Sequence, residues 1–171
     1  GADPTSVVTA LLMVPPIAAD IAIGALLHRL TRRWLGDRPG AERLALIAAA
    51  LYVFNPVTWY DSALWGQVDS VGTLAMLAAI ALLIEGHAEG ATAMTVVAGL
   101  VKPQYGIVML PILGAVLLRR HLLRPGSGPQ VSAGPAFFRA WAAQEQGAWR
   151  LVSSAAVGAL VLLLLIAPFG L

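Results

Sequence analysis

The stretch "LVSSAAVGALVLLLLIAPFGL", Leu151 to Leu171, holds no charged residue and no side-chain amide. An apolar helix of about 20 residues matches the hydrocarbon core of a bilayer. A second such run, "SVVTALLMVPPIAADIAIGALL", spans Ser6 to Leu27. Apolar runs recur between the two, so that 58% of the 171 residues are hydrophobic and only 12% are charged. Soluble domains carry about a quarter charged residues, twice this share, and the mean hydropathy here is +0.79. The chain reads as an integral membrane protein. In lipid every backbone N–H and C=O must be satisfied internally, which leaves helices or closed barrels. The alternation of barrel strands is absent, so the expected fold is all-α, a multi-span helical bundle forming one transmembrane domain.

Six apolar segments can be drawn, at about residues 6–27, 43–58, 69–84, 91–101, 105–118 and 151–169. The 11 basic residues are ten arginines and one lysine. Arg29, Arg32, Arg33, Arg38 and Arg43 fall between the first two segments, and Arg119, Arg120, Arg124, Arg139 and Arg150 between the last two. The positive-inside rule places both groups, loops 28–43 and 119–150, in the cytoplasm. Residues 55–70 then lie on the outer face of the cell membrane. Segments 91–101 and 105–118 are short, about 17 and 21 Å at 1.5 Å per residue. They are expected to turn at "KPQ" (Lys102, Pro103, Gln104), re-entrant or kinked, with Lys102 below the outer surface.

Residues 125–150 form the one sizeable non-spanning region. "PGSGP" is a loop by composition, and "PAFFRAWAAQEQGAWR" places Phe137, Phe138 and Trp141 close together, as an interfacial helix does. The chain has no cysteine, which excludes disulfides and thiolate metal sites. Three separated histidines, His28, His87 and His121, do not suggest a metal centre. A net charge of +2, with the arginines in loops, suits topology control and not nucleic-acid binding. The opening "GADPTS" has neither an initiating methionine nor the basic region of a signal peptide, as expected of a chain that was processed or is a piece of a longer one.

Against this background "NPVTWYDSALWGQVDS", Asn55 to Ser70, stands out, with two aspartates, two tryptophans, a tyrosine, an asparagine and a glutamine. One reading makes Asp69 or Ser70 the N-cap of the helix that follows, and Trp59, Tyr60 and Trp65 an interfacial aromatic belt. That leaves Asp61 and Gln67 unexplained. The other reading is a sugar-binding rim, since carboxylates and amides pair with hydroxyls and indole faces stack on pyranose rings. Asp20 lies inside the first span, where a carboxylate costs at least ~2.5–3.5 kcal/mol unless paired or hydrated. It faces a cavity, or is hydrogen-bonded beside the Pro15–Pro16 kink, or pairs with an arginine near the helix end. Lys102, the only lysine, either pairs with Asp61 or Asp69 or binds a phosphate, helped by the positive end of the helix starting near Ser70. At such a depth the phosphate would belong to a lipid.

The order of these motifs resembles the bacterial polyprenol-phosphate-sugar-dependent glycosyltransferases of the GT-C superfamily, mannosyltransferase-like multi-span enzymes. In that family an "NP" closes one span and a "WGQ-x-D" opens the next, here Asn55–Pro56 and Trp65–Gly66–Gln67–Val68–Asp69. A "KP" or "KPQ" follows, then an apolar "LP" helix, here Lys102–Pro103–Gln104 and Leu110–Pro111; Asp20 also fits the pattern. The likeness covers about residues 10–120. It implies inverting transfer of a hexosyl group from a polyprenyl-phosphate donor to a glycan or lipid acceptor at the outer face, with a carboxylate taking the acceptor proton. Asp61 and Asp69 are the catalytic candidates; Lys102, Gln67, Gln104, Trp65, Trp59 and Asp20 are the substrate-binding ones. No cofactor and no metal ligand is expected, and a divalent cation stays open. The family's presumed catalytic Asp lies in a first outer loop that this chain starts too late to contain securely. It therefore looks like a middle piece of such an enzyme or a truncated homologue.

Two other classes compete with the enzyme. A non-catalytic transmembrane subunit would pack its polar patch against further chains of a complex. A small transporter would line a path with Asp20 and Lys102.

Overall fold

The computed structural model describes residues 4–65, 67–123 and 147–170. All regular structure among them is helical. The elements are α1 (Pro4–Leu35), α2 (Ala41–Val53), α3 (Pro56–Trp59), which runs into a π-type turn (Tyr60–Trp65), α4 (Asp69–Glu85), α5 (Ala88–Val101), α6 (Pro103–Leu118), prolonged by a second π-type turn (Arg119–Leu123), and α7 (Trp149–Ile166), ended by a 3-10 turn (Ala167–Phe169).

Among the described residues three helices are long and apolar enough to cross a membrane: Ala10–Leu35, Pro103–Leu123 and Trp149–Phe169. Six spanning segments are thus not confirmed, and 105–118, expected to be short, lies within the longer helix Pro103–Leu123. Helices α2, α4 and α5 have 13, 17 and 14 residues, reaching about 20, 26 and 21 Å at 1.5 Å per residue. All fall short of the ~30 Å core. The expected interfacial helix within 125–150 lies outside the described residues, apart from the start of α7.

Local chemistry explains where the expected boundaries moved. The first helix does not end at residue 27. It runs on to Leu35, because Arg32 and Arg33 in its last turn complement the helix dipole. It stops at Gly36, whose φ of +59° is open to glycine and whose N–H returns to the Arg32 carbonyl at 3.0 Å. The second segment breaks at Val53, since a residue ahead of proline disfavours the helical region. Asn55 is extended there (φ −69°, ψ 123°) and its side chain accepts the Val57 N–H to cap α3. Gly86 ends α4 at φ +86°. There the His87 N–H bonds to the Leu82 carbonyl at 2.8 Å and the Gly86 N–H to Leu83 at 3.2 Å, a Schellman pattern.

The helices gather into two units, Gly1–Ala78 and Ala79–Leu171. In the first, α2 lies antiparallel on α1. His28 meets Glu42 at one end, Tyr52 meets Asp20 further along, and a Cβ at Gly24 would come 2.5 Å from Val53 Cγ2. In the second, α5 and α6 form a hairpin and α7 runs alongside α5 in the same direction, with Glu89 against Arg150 and Gly158 against Thr92. Helix α5 buries a stripe of small residues, Ala88, Ala91, Thr95 and Ala98. The polarity of α7 is inside out for a soluble protein: Ser153, Ser154 and Gly158 are buried while Leu163 and Leu164 are each 63% exposed. Small residues let helix backbones approach where lipid offers no hydrophobic drive. The apolar core of this unit is Leu83, Ala88, Ala91, Leu113 and Leu117.

Candidate functional site

The polar stretch that stood out in the sequence is where the helical path of the first unit is most irregular. Pro56 starts α3, and after one turn the chain widens into the π-type turn Tyr60–Trp65. Such turns recur at functional positions. The Gln67 N–H closes the segment on the Asp61 carbonyl at 3.1 Å, so Asp61 and Gln67 come together, both half-buried. Asp69 follows at the first turn of α4, where a carboxylate complements the helix dipole.

Neither Asp69 nor Ser70 stands ahead of the helix as the expected cap, because α4 begins at Asp69 itself. The Ser70 hydroxyl donates to the Pro16 carbonyl at 3.1 Å and shares a 3.2 Å hydrogen bond with Ser62. Both serines are buried. They tie the π-type turn and α4 to the α1 backbone at its proline pair.

The aromatics divide their work. The Trp59 indole N–H donates to the Val53 carbonyl at 2.9 Å, satisfying an acceptor stranded at the end of α2. Its ring remains 60% exposed. Trp65 packs edge-on to Tyr60, with centroids 5.9 Å apart and planes at 89°, a favoured aromatic geometry. Both tryptophans are largely exposed, as suits a lipid interface or a sugar ring.

Asp20 is buried, and Tyr52 donates its hydroxyl to Asp20 Oδ1 at 2.8 Å. Asp20 is thus hydrogen-bonded, with its partner on α2. Tyr52→Phe is expected to cost about 1 kcal/mol, the usual net loss for one hydrogen bond, read as a lower unfolding temperature in detergent. An unchanged temperature would mean that the bond contributes nothing.

In the second unit the break falls at Lys102, as the sequence suggested. Lys102 is extended (φ −147°, ψ 127°) between α5 and α6, with Pro103 in the first-turn position that favours proline. Its N–H reaches the Ala98 carbonyl at 3.1 Å and its carbonyl accepts the Tyr105 N–H at 3.0 Å. Lys102 is half-buried and Gln104 exposed. The turn is tight because Gly99 and Gly106 face each other: a Cβ at Gly106 would lie 3.1 Å from the Gly99 Cα. Asp61, Gln67, Asp69, Trp59 and Trp65 are therefore grouped at one break, with Asp20 in the same unit, and Lys102 and Gln104 at the break of the other.

A polar network that sequence reasoning missed joins α5 to α7. Glu89 accepts from Arg150 Nη1 and from the Ser153 hydroxyl, both at 2.5 Å. Burial disfavours the Glu89 charge, yet the hydrogen bonds from Arg150 and Ser153 and the Arg150 charge outweigh it and hold the carboxyl below its ordinary value. The available signal was an acid and an arginine, each at the first turn of an apolar helix. His121, fully buried in the second π-type turn, was also missed. Among the described residues no group of three or more histidine, aspartate or glutamate side chains is placed to hold a metal. Comparisons with protein-family models, with curated proteins and with solved structures found no match.

Proposed function

We propose that the chain is a membrane glycosyltransferase, or part of one, moving a sugar from a polyprenyl-phosphate donor to a hydroxyl acceptor at the outer membrane face. The observation that carries this reading is that both motif groups sit at helix breaks. Non-helical backbone at membrane depth is tolerated where it is buried in protein or lines a cavity, and interrupted helices are where membrane transporters hold polar substrates. In the proposed reaction the Lys102 ammonium and the positive end of α6 attract the donor phosphate. At the break before α4, Gln67 and Asp69 are the groups suited to sugar hydroxyls and Trp59 and Trp65 to the apolar sugar face, while Gln104 stands beside Lys102 at the other break. The acceptor oxygen attacks the anomeric carbon, its proton passes to Asp61 or Asp69, and the polyprenyl phosphate departs with the bonding electrons of the broken C–O bond.

The test is turnover of a labelled polyprenyl-phosphate sugar by membranes carrying the protein. Wild type should transfer label, and Lys102→Ala should lower the rate by on the order of 10²-fold, the scale of a lost positioning or charge-stabilising group. Equal rates for both would remove Lys102 from the site. No transfer by wild type would instead favour a non-catalytic subunit of a larger complex.

A further inference from the structure

Helix α1 meets α2 through Asp20, Gly24 and His28. Away from that contact an exposed line runs along α1 through Val14, Ala18, Ile21 and Ala25, at steps of three and four residues that keep to one face. The next members of the line are Arg29 and Arg32, with Arg33 beside them, all exposed. The apolar face thus gives way to guanidinium within one turn. From Val8 to Arg29 the helix rises about 32 Å at 1.5 Å per residue, close to the ~30 Å of a bilayer's hydrocarbon core. Trp34, directly after the arginines, is 86% exposed, as suits an indole at headgroup level. Arginines and indole together mark the level at which α1 leaves the hydrocarbon.

The turn beyond α1 brings more of the same charge to this end. Gly36 and Gly40, at φ +59° and +81°, reverse the chain between Leu35 and Ala41. Arg38 then lies in the turn and Arg43 in the first turn of α2, both exposed. Residues 28–43 carry five arginines against two acids, Asp37 and Glu42, in a chain whose net charge is only +2. Glu42 is already held, by Arg32 Nε at 2.9 Å and by His28 at 2.9 Å, and Arg32 also donates to the Gly36 carbonyl. A guanidinium has five N–H donors, so an arginine with an internal partner keeps others for a phosphate, which it can bind in bidentate fashion.

We propose that this end of the α1–α2 hairpin is a binding surface for anionic phospholipid headgroups. Arg29, Arg32 and Arg33 meet the phosphates of lipids lying along the apolar line of α1, and Arg38 and Arg43 add to the charge around them. A lipid suits this surface better than a soluble anion, because the apolar line and the arginines are continuous. Acyl chains lie on the first while the phosphate meets the second. A net negative headgroup suits it better than a zwitterionic one, because positive charge exceeds negative at the turn. This surface is independent of the glycosyltransferase reading.

The test uses the full chain, purified in a non-ionic detergent and titrated with phosphatidylglycerol or with phosphatidylcholine of the same acyl chains. Bound lipid is counted by native mass spectrometry. Wild type should bind phosphatidylglycerol more tightly by on the order of tenfold. Each arginine near a lipid surface contributes about fivefold, so Arg29→Gln combined with Arg33→Gln should weaken phosphatidylglycerol about 25-fold and phosphatidylcholine much less. Asp37→Asn removes a repelling charge and should tighten phosphatidylglycerol binding. Equal affinity of wild type for the two lipids overturns the proposal, as does a double variant that binds phosphatidylglycerol like wild type. Inorganic phosphate in molar excess should leave the lipid bound; displacement would make the turn a site for a free anion and overturn the lipid assignment. Should the double variant fail to fold, Asp37→Asn decides: an unchanged phosphatidylglycerol affinity there overturns the proposal as well.

Discussion

Gly106→Leu is expected to open the α5–α6 hairpin and lower the unfolding temperature by on the order of 10 °C. The Cβ alone would stand 3.1 Å from the Gly99 Cα, a backbone atom that no rotamer change can move aside. The remaining leucine carbons force the two helices apart where Lys102 joins them. Overpacking of this kind costs about 1–3 kcal/mol, sometimes more, and each kcal/mol shifts a chain of this size by about 2–4 °C. Gly114 on the same helix is the control, since a Cβ there meets nothing within 4 Å. Thermal unfolding in detergent, followed by circular dichroism, separates the two. If Gly106→Leu were as stable as Gly114→Leu, the tight backbone approach at the turn would be refuted.

The second large effect concerns Glu89. Its side chain and that of Arg150 are 22% and 20% exposed, between a surface pair worth about 0–1 kcal/mol and a buried one whose breakage costs about 3–5 kcal/mol. Glu89→Ala is accordingly expected to cost about 1–3 kcal/mol, because it leaves Arg150 and Ser153 without their shared acceptor. The pH dependence has a definite sign. Arg150 and Ser153 hold the carboxyl below its ordinary value against the opposing effect of burial. Its contribution is then fully present above the unfolded-state value and lost as pH falls through the lower folded value, on the acid side of the ordinary glutamate value of 4.5. The unfolding temperature of wild type should drop steeply there, and that of Glu89→Gln should not. A Glu89→Gln protein that kept the wild-type acid slope would assign that slope to another group.

The candidate site was partly legible because helix breaks are written in local chemistry. Asn55–Pro56 and Lys102–Pro103 restrict their own backbones, and both breaks occur where those residues stand. Spans were harder to count. Composition marks an apolar segment but not its helical length, and α2, α4 and α5 end at proline, glycine or an extended residue before reaching membrane thickness. Neither Asp69 nor Ser70 stands ahead of α4, which begins at Asp69, and Ser70 is engaged instead with the Pro16 carbonyl, 54 residues away. Short-range pattern cannot register such a partner.

Residue order and composition were enough to establish an all-helical chain rich in lipid-compatible segments, and to locate its two polar interruptions. Those properties arise within a turn or two of backbone, where neighbours in sequence decide hydrogen bonding and φ/ψ preference. The tertiary structure alone decided which polar groups meet. Tyr52 finds Asp20 across 32 residues, Arg150 finds Glu89 across 61, and Gly147 finds His121 across 26. Each meeting depends on which faces of two helices come together, and in α5 and α7 that is governed by buried stripes of alanine, serine, threonine and glycine. Small residues carry little hydropathy signal, yet they set how closely backbones approach. The polar partners at the ends of those helices are positioned by that approach.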